Sequence, residues 1–116
     1  MEELAGKNAV VVGGAQGIGR GIALALARES MNVAVLDIEE DAASRVADEI
    51  KSLGVRGMAA ACDVTSEDSM AACERRVTSE LGPVHVLSNN AGVSAPQCPI
   101  TEKTDLDWQW VFSVNL

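Results

Sequence analysis

Along this chain the spacing of hydrophobic residues alternates between two regimes, a short continuous apolar run and then a longer stretch with apolar positions every three or four residues. Residues 8–13, NAVVVG, read as a buried strand, after which Ile18, Ile22, Ala25 and Leu26 recur at helical spacing. NVAVLDI at 32–38 is the second predicted strand; Ala43, Val46, Ala47, Ile50 and Leu53 then follow the i, i+3, i+4, i+7 rule, and Gly54 supplies a stop. VRGMAAACDV at 55–64 is a third strand, weak because alanine and glycine are poor strand formers. It leads into a helix capped by Thr65 or Ser66, with Met70, Cys73, Val77 and Leu81 on one face and Gly82-Pro83 as terminator. The fourth strand and its loop begin at Val84 in VHVLSNNAG. Residues 93–104 read as irregular, and DLDWQWVFSVNL opens a fourth helix from a Thr104 or Asp105 cap.

Strands that alternate with helices through short connections specify a parallel sheet covered on both faces, since a parallel crossover needs a helix-length segment and winds right-handed. The predicted fold class is therefore α/β, a doubly wound parallel sheet of Rossmann type, of which residues 1–116 hold the first four βα units in one domain. A ligand is expected over the carboxyl ends of strands one and four.

Composition narrows the partners more than the fold. A chain of 116 residues, 47% hydrophobic, can bury one core. It has no run of about 18 apolar residues to span a bilayer, and its acidic start lacks the basic region of a secretory signal, so a soluble, cytoplasmic protein is expected. Nine basic against seventeen acidic residues, a net charge of −8, would repel a phosphate backbone, so neither nucleic acid nor an anionic membrane is an expected partner. Cys62, Cys73 and Cys98 are odd in number and lack paired Cys-x-x-Cys spacing, which points to buried or free thiols and to no metal centre. A small anionic ligand is not disfavoured, because a few oriented amides can hold one inside an acidic protein.

Five glycines fall within nine residues, at 13, 14, 17, 19 and 21, between the first strand and its helix. One or two would make a tight turn; this many point to a loop that needs bare backbone around an anion. Gly13 would let the chain turn out of the strand, Gly17 would let backbone approach a pyrophosphate, and Gly19 would let the helix pack close to the sheet. The amides near Gly17 and Ile18 would meet phosphate oxygens with the positive end of the helix dipole behind them. A P-loop is excluded, since no Lys-Ser or Lys-Thr follows the glycines. The G-x-G-x-x-G fingerprint is not met either, because Ile22 stands where its third glycine should be; the spacing present is G-x-x-x-G-x-G. GIGRG at 17–21 also fits a loop of methyltransferases that use S-adenosylmethionine, the competing reading.

Asp37 ends the second strand eighteen positions after Gly19, near the spacing of about 20 for a carboxylate that binds an adenosine ribose. Such a carboxylate would repel a 2′-phosphate. Ile38 beside it and Gln16 in the loop supply no cation for that phosphate, so NAD is expected in preference to NADP. The plainer alternative is that Asp37 caps a turn or the helix starting near Glu39.

GGAQGIG, the acid at Asp37, CDV at 62–64, NNAG at 89–92 and WQWVFSVNL ending near Asn115 come in one order across nearly the whole chain. Together they resemble the short-chain dehydrogenase/reductase family, and NNAG counts against the methyltransferase reading. The resemblance implies that Asp63 meets the adenine amino group and Val64 the adenine ring, and that Asn90, Ala91 and Gly92 lie beside the cofactor ribose and against the first strand. It identifies Asn115 with the family's active-site asparagine, which holds a helix backbone kinked and anchors a water in the proton relay. The residues themselves offer a plainer role for Asn115, a hydrogen-bonded core amide on one helical face with Trp108, Val111 and Phe112.

Two departures from the family pattern stand out. Val12 occupies the position of the threonine whose hydroxyl ties the first strand to NNAG. The catalytic serine and Tyr-x-x-x-Lys pair are not present, and the sequence contains no tyrosine at all. His85, near the start of a strand, is remote from the end where chemistry would occur. The expectation is thus a cofactor-binding amino-terminal part, truncated before the Tyr/Lys segment and inactive alone. Its full-length enzyme would move hydride between NAD and a small alcohol or carbonyl substrate and associate with copies of itself. A complete, non-catalytic dinucleotide-binding or interaction module is the alternative of a different class.

Overall fold

The computed structural model describes residues 3–92 together with residues 104, 106 and 109. Seven elements alternate as β1 (Asn8–Val12), α1 (Gly17–Arg28), β2 (Asn32–Asp37), α2 (Glu40–Lys51), β3 (Gly57–Ala61), α3 (Glu67–Leu81) and β4 (Val86–Asn89). The strands form one parallel sheet in the order β3-β2-β1-β4, with Ala9 opposite Val33 and Val86, and Val35 opposite Ala59. Each predicted strand is present and each is shorter than the apolar run that announced it, because pairing ends where the chain turns toward its helix. In the fourth helical segment Leu106 and Gln109 are helical; its Asp105 cap candidate and the apolar face around Asn115 lie outside the described residues.

Alternation along the strands divides the core in two. Ala9, Val11, Val33 and Val35 join Ala23, Leu24, Ala27, Val46 and Ile50 under α1 and α2. Val10, Val12, Ala34, Leu36, Met58 and Ala60 face the other way and join Cys73, Val77 and Leu81 of α3. A sheet buried on both faces cannot show polar alternation, which is why its strands read as continuous apolar runs.

All three predicted helix faces need correction in part. In α1 the buried side is Gly19, Ala23, Leu24 and Ala27, whereas Ile18 is 80% exposed and Ala25 is also exposed. The apolar residues there are too frequent for spacing alone to pick the face. Met70 and Leu53, expected on buried faces, are exposed by about two-fifths, Leu53 because α2 has already ended. The weak composition of β3 has a packing reason: a Cβ on Gly57 would stand 2.8 Å from the carbonyl oxygen of Ala47, so α2 presses on this strand too closely for large side chains.

At the amino end of the sheet, two buried asparagines fasten the layers together. Asn8 Nδ2 donates to the carbonyls of Leu81 (2.8 Å) and Pro83 (2.9 Å), and Asn32 Nδ2 donates to Asn8 Oδ1 (3.0 Å). Asn32 Oδ1 in turn accepts from the Arg56 amide at 3.0 Å. His85 belongs to this end too, its Nδ1 accepting from the Asn8 amide at 3.1 Å. The end of α3 is thereby tied to β1 and β2, and every described buried side-chain polar atom has a partner.

Candidate functional site

A cleft of about 540 Å³ opens across the carboxyl ends of all four strands, within the size range of small-molecule sites. Val12, Gly13 and Gln16 line it from β1 and its loop, Asp37, Ile38 and Glu39 from the end of β2, Cys62 to Thr65 from the end of β3, and Asn90 to Gly92 from beyond β4. The sequence placed a ligand over strands one and four; the cleft extends as far as β3.

The glycine loop is built by contact as well as by conformation. Gly13 has φ +76°, and a Cβ there would stand 2.6 Å from the amide nitrogen of Ala91, so only glycine lets the loop nest against the segment beyond β4. A Cβ on Gly19 would fall 2.0 Å from the carbonyl oxygen of Gly13, which brings the first turn of α1 directly onto the loop. At Gly17 a Cβ would meet nothing, so this stretch of backbone faces open space. The residue before α1 is Gln16, in extended conformation with no side-chain cap, and the first turn carries no acid. The amides that open α1 thus keep their positive dipole end free of side-chain anions.

Asp37 joins the loop to the end of β2. Its Oδ2 accepts from the Ala15 amide at 3.1 Å and its Oδ1 from the Glu39 amide at 3.0 Å. Turn-making is therefore one of its functions, as the plainer reading held, and it performs it from the cleft wall. Val12 lacks a hydroxyl, yet its carbonyl accepts the Asn90 amide at 2.8 Å, so backbone ties the first strand to NNAG without the threonine. Asn90 Nδ2 donates to Ser88 Oγ at 2.6 Å, which orients its side chain.

At the β3 end, Asp63 Oδ1 accepts from both the amide (2.9 Å) and the hydroxyl (2.6 Å) of Thr65. These two bonds favour the ionised form and hold the Asp63 carboxyl below its ordinary value. Cys62 moves the other way: burial, the adjoining Cys73 thiol and the negative charge of Asp63 push its thiol up to about 11. It stays a neutral thiol near pH 7.

Of the residues singled out from the sequence, Gly13, Gln16, Asp37, Ile38, Asp63, Val64, Asn90, Ala91 and Gly92 line this one cleft. Gly17, Ile18 and Gly19 do not line it; they form the opening turn of α1, with Gly19 buried against Gly13. Asn115 lies outside the described residues. Glu39, Cys62 and Thr65 line the cleft without having been selected, although Cys62 heads the CDV motif and Thr65 was the competing helix cap. Ser66 takes the cap instead, its Oγ accepting from the Ser69 amide at 3.1 Å, which frees Thr65 to hold Asp63. Among the described residues no group of three or more His, Cys, Asp or Glu could hold a metal, and no helix is long and apolar enough to cross a membrane.

A family model described as short chain dehydrogenase matches residues 7–116. The 7alpha-hydroxysteroid dehydrogenase of Escherichia coli (strain K12) is 44% identical over 94 residues, which are 81% of this chain and 37% of that protein. A short chain dehydrogenase/reductase from Burkholderia phymatum, solved in complex with NAD, superposes with a TM-score of 0.93 at 34% identity, covering 100% of this chain and 41% of its own. NAD+-bound xylitol dehydrogenase superposes with a TM-score of 0.94 at 30% identity, covering 99% of this chain and 44% of its own. The chain thus spans less than half the length of these proteins.

Proposed function

The chain belongs to the short-chain dehydrogenase family, a family of oxidoreductases, and from that premise we propose that its cleft binds NAD in preference to NADP for hydride transfer with a small alcohol or carbonyl substrate. The observation that carries the preference is the cleft wall itself: Asp37, Glu39 and Asp63 stand in it, and among the described residues no lysine or arginine does. A ribose with both hydroxyls free can donate to the Asp37 carboxylate, whereas a 2′-phosphate there would meet negative charge without a cation to offset it.

The residues present fit the dinucleotide. The uncapped start of α1 and the open backbone at Gly17 suit a pyrophosphate, Asp37 the adenosine ribose, Asp63 and Val64 the adenine, and Asn90 to Gly92 a cofactor ribose. The nicotinamide, when bound, supplies or accepts the hydride. This chain's residues would hold the dinucleotide, and Asn115, which lies outside the described residues, would by the family resemblance order a water for proton transfer. The family's Tyr-x-x-x-Lys pair would exchange the proton, and these 116 residues contain no tyrosine, so cofactor binding without turnover is the behaviour proposed for this span. A cytoplasmic setting and self-association of the full-length enzyme belong to the same proposal.

Parallel calorimetric titrations of NAD and NADP test the reading. NAD is expected to bind more tightly, and Asp37→Ala to narrow the difference by about 1.5 to 3 kcal/mol, the size of a hydrogen bond to a charged group. Tighter binding of NADP to the unaltered protein would overturn it.

A further inference from the structure

We propose that Thr65 is a positioning residue for adenine: its hydroxyl and amide pin one oxygen of the Asp63 carboxylate, so that the other is left to accept from the exocyclic amino group of the base. The proposal rests on the reading of Asp63 as the adenine partner. It starts from a difference between two carboxylates of the cleft wall. Asp37 offers one oxygen to each of two amides, Oδ2 to Ala15 and Oδ1 to Glu39. Asp63 takes both of its bonds on Oδ1, from the Thr65 amide at 2.9 Å and the Thr65 hydroxyl at 2.6 Å, and among the described residues Oδ2 has no partner.

The backbone beneath Asp63 is held as firmly. Its amide donates to Ser69 Oγ at 2.9 Å and its carbonyl accepts from the Ser66 amide at 3.0 Å, so the start of α3 grips this residue from both sides. One position earlier the Cys62 amide donates to the Asp37 carbonyl at 3.0 Å, which fixes Asp63 relative to the carboxylate proposed for the ribose. What remains free is rotation of the Asp63 side chain, which is only half-buried. Two bonds to one oxygen select a single rotamer in advance and lower the ordering cost of binding.

Thr65 also lines the cleft, yet its hydroxyl has one proton and gives it to Asp63, so it acts on a ligand through that carboxylate. An ionised carboxylate only accepts, which suits the amino group of a 6-aminopurine; the oxygen of a 6-oxopurine in the same place would set acceptor against acceptor. The competing description is that Thr65 only closes the turn before α3, with no consequence for the base.

Calorimetric titrations of the full-length protein with NAD and with nicotinamide hypoxanthine dinucleotide, in which oxygen replaces that amino group, separate the two. The unaltered protein should bind NAD about tenfold more tightly, the size of one hydrogen bond to a charged group. Thr65→Val should reduce that ratio by about threefold, chiefly through weaker NAD binding, and Thr65→Ala should behave in the same way. Thr65→Ser keeps the hydroxyl and should restore the ratio, whereas Asp63→Ala should reduce it further than either. A ratio unchanged in both Thr65→Val and Thr65→Ala, or one that Thr65→Ser fails to restore, would overturn the proposal while leaving Asp63 as the adenine partner. Equal affinity of the unaltered protein for the two dinucleotides would overturn that reading of Asp63 and this proposal with it.

Discussion

α3 and α1 both begin beside the carboxyl ends of the strands, and they begin in opposite ways. α3 opens with Ser66, whose hydroxyl accepts the Ser69 amide, followed by Glu67 and Asp68 in the first turn. Its exposed amides and dipole are satisfied by its own side chains. α1 opens with uncapped Gln16 and then Gly17, Ile18 and Gly19, with no acid in the first turn and a large apolar side chain 80% exposed. Propensity, capping and charge all favour the α3 arrangement for stability. The deficit at α1 suits the anion-binding role proposed for it, because a side chain that neutralised those amides would occupy the place proposed for the pyrophosphate. The position of Gly19 shows how tightly the deficient helix is nevertheless held.

Gly19→Ala should break this comparison most severely. The added Cβ has a backbone oxygen 2.0 Å away that cannot swing aside, so a loss of about 3 kcal/mol in unfolding free energy is expected by urea titration. Gly21→Ala is its control two residues on: a Cβ there meets nothing, and replacing a helix-interior glycine should stabilise by about 0.5 to 1 kcal/mol. Equal effects at the two sites would contradict the close approach of α1 to the loop.

Giving α1 the start that α3 has sharpens the contrast. Ile18→Asp should raise stability by about 0.3 to 1 kcal/mol through the helix dipole and weaken dinucleotide binding by about tenfold through repulsion of the pyrophosphate. Ser66→Ala should do the reverse in kind, lowering stability by about 1 kcal/mol and leaving dinucleotide affinity unchanged. Thermal unfolding and calorimetry on the two variants check both arms; a stabilised Ile18→Asp that binds as well as its parent would remove the functional reason for the bare helix start.

The smallest expected effect lies in the turn before α3. Because the Asp63 carboxyl is held below its ordinary value of 3.8, its stabilising bonds with Thr65 are fully present above that pH and are lost as the pH falls through the lowered value. Thr65→Val removes the hydroxyl donor and keeps the amide. A carbon-detected NMR titration of Asp63 should then move part of the way back toward 3.8, and an unmoved titration would show that the hydroxyl contributes nothing.

Element order, the parallel doubly wound sheet and most of the cleft were legible in the sequence because they rest on local signals. Continuous apolar runs mark strands buried on both faces, Gly82 with φ +96° follows α3 at the predicted terminator, and a run of glycines stands where bare backbone is needed. Asp37 was legible too, through its distance from the glycines. Tertiary structure alone decided which face of α1 is buried, since Ile18, Ile22, Ala25 and Leu26 look as apolar as Ala23, Leu24 and Ala27 until the sheet is placed against them. It alone set both Asp37 bonds at once, gave Ser66 the cap and Thr65 the carboxylate, and joined Asn8 to Asn32 and Cys62 to Met70. Periodicity reports what a residue does to its own element. Which of several chemically suitable groups becomes a partner depends on distances of a few ångströms between elements, which are settled only when β-strand register and helix packing bring distant parts of the chain together.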